Sequence, residues 1–129
     1  MKKLLIDNDF LLTILNKDNP KYHDAFNLLQ KIQNTTIYLC FNDIIKTLDF
    51  INFNFGIEMG QKVCKKLLKQ RMFFIFPDEK IMEKTNQYFL KNKNHNYEES
   101  LNLTIFENYN LDYILSFNKN YQKKLLPLI

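Results

Sequence analysis

The sequence predicts an α/β fold, a three-layer α/β/α sandwich around a central parallel sheet of about four or five strands. Short apolar or β-branched segments alternate along the chain with longer segments of helical periodicity. Such alternation favours parallel strands joined by right-handed helical crossovers. The 129 residues, 46% of them hydrophobic, suffice for one core. We therefore expect a single domain over residues 1–129.

The first half of the chain predicts two strands and four helices. Asp7 and the two residues after it supply capping side chains between the first strand and the first helix. Pro20 starts the second helix, and Gly56 ends the third. The expected ranges are strand 3–6, helix 10–16, helix 21–33, strand 36–39, a helix from 42 or 43 to about 54, and helix 58–70.

The second half predicts two further strands and two helices. Pro77 and the two acidic residues that follow it open the first of these helices, and a polar break over 92–96 separates it from the second. Pro127 confines any strand at the end of the chain to a sheet edge. The expected ranges are strand 71–76, helix 79–90, helix 97–109, strand 113–116, a polar turn over 117–120 and a last short strand over 125–129.

Charge and composition limit the function only loosely. The net charge of +4 and the pI of about 9.0 are compatible with a nucleic-acid partner, but nearly all of the positive charge is lysine. Arg71 is the one arginine, which limits bidentate phosphate recognition. Cys40 and Cys64 lack metal-ligand spacing and are expected to be reduced core thiols. No apolar run approaches the roughly 20 residues of a membrane span, and no signal peptide is evident, so we expect a cytoplasmic protein.

Polar residues follow the expected strands at the edge where open α/β sheets bind ligands. Asp7 follows the first strand directly. Each of these residues also has a purely structural interpretation, as a helix cap, a helix-dipole partner, a turn residue or a solvated side chain. The other candidates are Asp43, Lys46 and Asp49 on one face of the third helix, Glu98 and Glu99 at the start of the sixth helix, and Asn118 and Asn120 in the last turn.

Four segments form an ordered pattern along the chain. They are Leu-Leu-Ile-Asp-Asn-Asp-Phe-Leu-Leu over 4–12, Asn-Pro-Lys-Tyr-His-Asp-Ala over 19–25, Phe-Pro-Asp-Glu over 76–79, and Asp-Tyr-Ile-Leu-Ser-Phe-Asn-Lys-Asn-Tyr over 112–121. Their order and spacing resemble the PIN domain, the fold of metal-dependent nucleases that includes the ribonuclease toxins of toxin–antitoxin pairs. The resemblance covers nearly the whole chain.

The resemblance implies an active site in which about four acids hold Mg²⁺ or Mn²⁺ for phosphodiester cleavage of RNA. By position, Asp7 corresponds to the first acid and Glu99 to the third, and these two are the expected metal ligands. Lys46 most naturally stands where the family has its second acid, and Asn118 where it has its fourth. Two acids therefore remain, which is enough for one ion that keeps several waters.

Two hypotheses follow from this partly degenerate site. In the first, the chain is an active endoribonuclease in which Asp43 replaces the missing acid, Asn118 orients water and Lys46 contacts substrate phosphate. In the second, the Lys46 ammonium lies between Asp7 and Glu99 in place of the metal, and the domain binds RNA or a protein without catalysis. A like charge about 4 Å from a metal opposes its binding by roughly 4 kcal/mol at an effective dielectric of 20.

Partners are also implied by the resemblance: RNA, an antitoxin-like protein and a second copy of the chain, for which the aromatic-rich third and fourth helices offer a surface. No membrane partner is expected. The fourth helix carries Lys62, Lys65, Lys66 and Lys69 on one side, with Arg71 beyond it. This face is either a phosphate-binding strip or an ordinary solvated surface.

Overall fold

The computed structural model describes residues 2–32 and 34–126. Four parallel strands form one sheet in the order β3-β2-β1-β4. The elements are β1 Lys2–Ile6, α1 Asn8–Leu15, α2 Tyr22–Lys31, β2 Thr35–Cys40, α3 Phe41–Phe55, α4 Ile57–Lys69, β3 Met72–Ile75, α5 Glu79–Lys91, α6 Tyr97–Asn108, β4 Tyr113–Leu115 and a 3₁₀-helix Lys119–Lys124.

Strand β1 lies in the centre of the sheet, and its side chains divide the core into two parts. Leu4 and Ile6 pack on one face with α1 to α4, whereas Leu5 packs on the other with α5 and α6. Successive side chains of a strand point to opposite faces, so one short apolar strand serves both layers. The expected α/β/α architecture with a parallel sheet is confirmed.

The register of the sheet is fixed at both neighbours of β1. Ile6 lies opposite Leu39 of β2 and opposite Leu115 of β4. Asp112 reinforces the second pairing, because its carboxylate accepts the Lys3 N–H at 2.7 Å and its own N–H donates to the Lys3 carbonyl at 2.8 Å. The residues that directly follow β1 and β4 are thereby placed side by side.

The differences from the sequence-based ranges lie at element ends. Helix α1 begins at Asn8 instead of residue 10, because the Asp7 side chain caps it from one position earlier. The expected turn over 117–120 runs into the 3₁₀-helix. Of the strand expected over 125–129, Leu125 makes an isolated parallel bridge to Ile114, and residues 127–129 lie outside the described part of the chain. Within the described residues, no helix is long and apolar enough to cross a membrane.

Candidate functional site

Asp7 lies at the carboxyl end of β1 and is 3% exposed. Its Oδ1 accepts a hydrogen bond from the Phe10 N–H at 2.9 Å, which caps α1. Its Oδ2 accepts one from the hydroxyl of Ser116, the residue that follows β4. The carboxylate is therefore both a helix cap and a fixed point at the sheet edge.

The surroundings of Asp7 favour its protonated form. Burial is the main cause that raises its pKa to about 6, and the charges of Asp9 and Glu98 add to it. The hydrogen bonds from Ser116 and Phe10 offset part of this increase. An acid with such a pKa is half-neutral only slightly below physiological pH.

Asp43 is a second buried acid near Asp7. It lies in the first turn of α3 on the buried face that also carries Thr47 and Ile51 at four-residue spacing. Neither carboxylate oxygen of Asp43 makes a hydrogen bond, and the Thr47 hydroxyl also has no partner. Buried polar atoms normally find partners, so these atoms mark a place where a ligand, an ion or water fits.

The pKa of Asp43 rises further than that of Asp7. Burial is the largest cause, followed by the charges of Glu98 and Asp7, and together they raise the pKa to about 8. The Lys46 charge and the nearby Asn8 backbone N–H lower it only in part. Asp43 and Asp7 therefore oppose each other's ionisation, as paired carboxylates at one site do.

Glu99 differs from Asp7 and Asp43 because its two oxygens accept three hydrogen bonds, two of them from side-chain amides. Oε1 accepts the Asn96 N–H at 3.0 Å, and the Asn96 side chain accepts the Glu99 N–H at 2.8 Å, which forms a capping box at the start of α6. Oε2 accepts the side-chain amides of Asn118 at 2.6 Å and Asn120 at 3.0 Å. Burial raises the pKa of Glu99, but these hydrogen bonds outweigh it and hold the pKa below its ordinary value.

Asn118 connects Glu99 to Asp7. Its backbone N–H donates to the Ser116 hydroxyl oxygen at 2.9 Å, and that hydroxyl donates to Asp7. Its side-chain oxygen accepts the Asn120 N–H at 3.0 Å, which leaves the amide nitrogen directed to Glu99. A hydrogen-bonded chain thus joins the ends of β1, β4 and α6.

Lys46 does not lie where the second hypothesis above places it. Its ion pair is with Glu98, and not with Asp7 or Glu99. The expectation that its ammonium lies between Asp7 and Glu99 in place of a metal is therefore wrong. The reason is that Glu98 projects from the first turn of α6 toward α3 and offers a half-exposed partner, whereas the oxygens of Glu99 are taken by amides.

The structure thus brings Asp7, Asn118 and Glu99 into one hydrogen-bonded chain, with Asp43 electrostatically coupled to Asp7. Asp49, also considered from the sequence, is exposed on α3. Ser116 was missed as a candidate. Its position just after the last strand carries a usable signal only once β4 is known to lie beside β1.

No three histidine, cysteine, aspartate or glutamate side chains converge on a common metal position in the part of the chain that the structure describes. The donor chemistry nevertheless fits one hard cation, because Asp7 and Asp43 are anionic oxygen donors and the oxygens of Asp43 lack hydrogen bonds. The metal pair expected from the sequence was Asp7 and Glu99. The oxygens of Glu99 accept three hydrogen bonds, whereas those of Asp43 accept none.

A groove of about 720 Å³ begins beside this site. Asp9 and Asn118 line the end near the carboxylates, and helices α3 and α4 form its far wall. Its lining is mainly apolar and aromatic, with Leu12, Leu15, Phe50, Ile51, Phe55, Met59, Val63 and Phe117 among its residues.

The sequence matches no protein-family model and no curated protein. Similar solved structures exist, however. The chain superposes on VapC20 of Mycobacterium tuberculosis, a toxin that cleaves the sarcin-ricin loop, with a TM-score of 0.82, 8% identity and 98% of each chain covered. A toxin–antitoxin complex from Klebsiella pneumoniae matches with a TM-score of 0.75, 12% identity and 98% of each chain covered.

A third similar structure is VapBC2 of Rickettsia felis, bound to a DNA fragment from its promoter, with a TM-score of 0.69, 15% identity and 96% of each chain covered. At these identities the similarity concerns the fold. It agrees with the four motifs in the sequence and with the position of Asp7 at the carboxyl end of the central strand. The chain therefore has the fold of the PIN-domain toxins of toxin–antitoxin pairs over nearly its full length.

Proposed function

We propose that the protein is a metal-dependent endoribonuclease of the PIN type that acts as a toxin. The observation that carries the proposal is the buried carboxylate of Asp43, which has no hydrogen bond and lies near a second buried acid, Asp7. Two such acids destabilise a fold that has no use for them. Their position at the carboxyl edge of the sheet, where open α/β sheets bind ligands, supports a role in holding a cation.

Asp7 and Asp43 would hold one Mg²⁺ or Mn²⁺ ion, with Glu98 nearby as a further negative charge. When bound, such an ion polarises a phosphoryl oxygen and supplies a more acidic water. The backbone N–H of Asn118 donates to the Ser116 hydroxyl, and this hydroxyl donates in turn to the Asp7 carboxylate. Lys46 is half-exposed and paired with Glu98. A substrate phosphate would compete with Glu98 for the Lys46 ammonium.

An antitoxin-like protein partner is part of this proposal. Two of the structural relatives are toxin–antitoxin assemblies. A toxin nuclease requires such a partner to be tolerated by the cell that produces it. The proposal implies that coexpression of a cognate partner restores growth to cells that express this chain.

The direct test is cleavage of a mixed RNA pool by the purified protein with Mn²⁺ or Mg²⁺. We expect cleavage by the wild-type chain and a loss of at least about a hundredfold in Asp7→Asn and Asp43→Asn, because each change removes an anionic donor. Asp49→Asn is the matched control, since Asp49 is an exposed acid on the same helix as Asp43. Equal cleavage by Asp43→Asn and the wild type would exclude Asp43 from the site.

A second candidate function is a PIN-type domain that has lost catalysis and binds RNA or protein. The observation in its favour is the pair of amides, Asn118 and Asn120, that satisfies Glu99 without a cation. This candidate predicts RNA binding without cleavage under any divalent metal. It also predicts that Mn²⁺ raises the melting temperature of the wild type no more than it raises that of Asp7→Asn.

A further inference from the structure

The excess positive charge of the protein is confined to one short segment. Residues 57–71 contain five of the 18 lysines and arginines but only one of the 14 aspartates and glutamates. The remaining chain therefore carries 13 of each sign and is neutral. The whole net charge of +4 belongs to α4 and to Arg71, the residue just before β3.

Four of these cations form what we call the lysine strip, which consists of Lys62, Lys65, Lys66 and Lys69. Successive members are three, one and three residues apart, and alternate members are four apart, so they share one side of α4. All four are exposed. Within the described part of the chain none of the four forms an ion pair, and the one acid of α4, Glu58, lies four residues before Lys62.

The strip does not line the groove but lies beside it on α4. Met59 and Val63 line the groove, and Lys62 and Lys66 each follow one of them by three residues. The opposite exposed flank of α4 carries no charge, since it consists of Ile57, Gln61, Cys64 and Leu68. A purely solvating role for the lysines would not require this asymmetry.

The groove connects the strip to the candidate active site and offers aromatic surfaces on the way. Phe50 and Phe55 are 48% and 57% exposed, and both line the groove. Phe117 lies at the other end, next to Asn118, with its ring stacked on Phe10. A cationic track beside exposed aromatic rings is the combination with which proteins bind single-stranded nucleic acid.

We propose that the lysine strip and the groove form an extended binding track for single-stranded RNA, with phosphates on the strip and bases toward the groove. The inference rests on the proposed nuclease function, because that function makes RNA the polyanion that must reach Asn118 and Asp7. It adds that recognition extends beyond the scissile phosphate to α4. The substrate is therefore a strand that reaches from the acidic edge of the sheet to α4.

The test is equilibrium binding of a labelled single-stranded RNA to the full chain, without divalent metal, over a range of NaCl concentrations. The Asp7→Asn background prevents cleavage during the measurement. The strip variant carries Lys62→Gln, Lys65→Gln, Lys66→Gln and Lys69→Gln, which keep helix propensity. The control variant changes four exposed lysines elsewhere, Lys80→Gln, Lys91→Gln, Lys93→Gln and Lys123→Gln, and so has the same net charge.

We expect the strip variant to bind RNA at least about tenfold more weakly at low salt, with a slope of log affinity against log salt smaller by about 3, since each single-strand phosphate contact contributes about 0.7. The control variant should keep most of the slope. Should the strip variant fail to fold, the pair Lys62→Gln and Lys66→Gln gives about half the change in slope.

Equal slopes in the two variants would overturn the proposal, as would tighter binding of duplex DNA or of an acidic peptide than of RNA. The outcome is separable from that of the nuclease proposal. If the wild type cleaves RNA and the two slopes are equal, the binding track is refuted and the nuclease proposal stands. If the slope depends on the lysine strip but no divalent metal supports cleavage, the nuclease proposal is refuted and the RNA-binding track stands.

Discussion

At the scale of single residues, the site holds three buried carboxylates in two different states. Burial raises the pKa of Asp7 to about 6 and that of Asp43 to about 8. Hydrogen bonds from amides and a backbone N–H hold the pKa of Glu99 below its ordinary value despite its burial. Acids whose pKa values are shifted in opposite directions take different roles. One is a fixed anion, and the others gain or lose protons.

The first prediction concerns the stability of Asp43→Asn. The folded protein holds the Asp43 proton up to about pH 8, whereas an unfolded chain releases it near 3.8. The unfolding free energy of the wild type should therefore fall as the pH rises from about 4 to about 8 without divalent metal. Asparagine removes this loss, so the variant should be more stable by at least about 1 kcal/mol at pH 9 and nearly equal at pH 4, where the unfolded state also binds the proton.

Urea denaturation at the two pH values measures this difference. Asp49→Asn serves as the control, because it removes an exposed carboxylate from the same helix. If Asp43→Asn is less stable than the wild type at pH 9, the carboxylate is held as an anion by contacts other than those described, and the argument from its burial fails.

The second prediction concerns Asn118→Asp, which restores the acid that the family motif carries at this position. The new carboxylate loses the hydrogen bond to Glu99 and repels it, so the variant should lose about 1–3 kcal/mol of stability at pH 7 without metal. Mn²⁺ should then raise its melting temperature more than that of the wild type. Differential scanning fluorimetry with and without Mn²⁺ tests both statements, with Asn118→Ala as the control that removes the amide without adding charge.

Individual site residues differed in how far the sequence could predict them. Asp7 was predictable because a lone acid between an apolar strand and a helix start must lie at the strand end. Ser116 was not, because its contact with Asp7 depends on β4 lying beside β1, and alternation of elements does not specify strand order. The partner of Lys46 was missed because Glu98 and Glu99 are adjacent, and only the capping box decides which of them faces away from α3.

At the scale of elements, α6 has the most constrained environment. All residues from Glu99 to Ile105 are buried, so the helix lies in the core on every side instead of showing one apolar face. Its start is fixed by the capping box of Asn96 and Glu99. The same carboxylate therefore caps the start of α6 and accepts hydrogen bonds from the amides of Asn118 and Asn120, which couples the position of α6 to the turn after β4.

The third prediction follows from this coupling. Asn96→Ala removes the side-chain half of the capping box and should cost about 1 kcal/mol of unfolding free energy. Asn94→Ala, at an exposed position just before α6, is the matched control and should be nearly neutral. Chemical denaturation measures both. A loss in Asn94→Ala as large as that in Asn96→Ala would show that the loop, and not the cap, stabilises this end of the helix.

The bounds of the elements were predictable wherever a cap or a glycine marks them, as at Asp78 before α5 and at Gly56 between α3 and α4. They were less predictable at the end of the chain. The apolar residues from 125 onward resemble a strand in composition, but within the described residues they meet β4 in a single bridge, between Leu125 and Ile114. Composition alone does not specify how many residues of such a segment pair with the sheet.

At the scale of the whole molecule, the fold persists at identities of 8–15% because its requirements are generic. They consist of a central apolar strand with both faces buried, helices with one apolar side, and capping residues at the turns. Chemistry and charge are distributed separately from this framework. The acids lie at the carboxyl edge of the sheet, and the excess positive charge lies on α4.

The last prediction joins fold stability to the proposed metal site. Mn²⁺ should stabilise the wild-type protein by about 2.7 kcal/mol at a concentration a hundred times its Kd, because it binds the folded state alone. The effect should be larger at pH 8 than at pH 6, since Asp43 must lose its proton before it can bind the ion. Thermal unfolding with Mn²⁺ at both pH values measures this, with Asp7→Asn as the control that lacks one donor. A rise in melting temperature that is equal in Asp7→Asn, or that is larger at pH 6, would assign the stabilisation to another part of the surface and leave the buried acids without a metal.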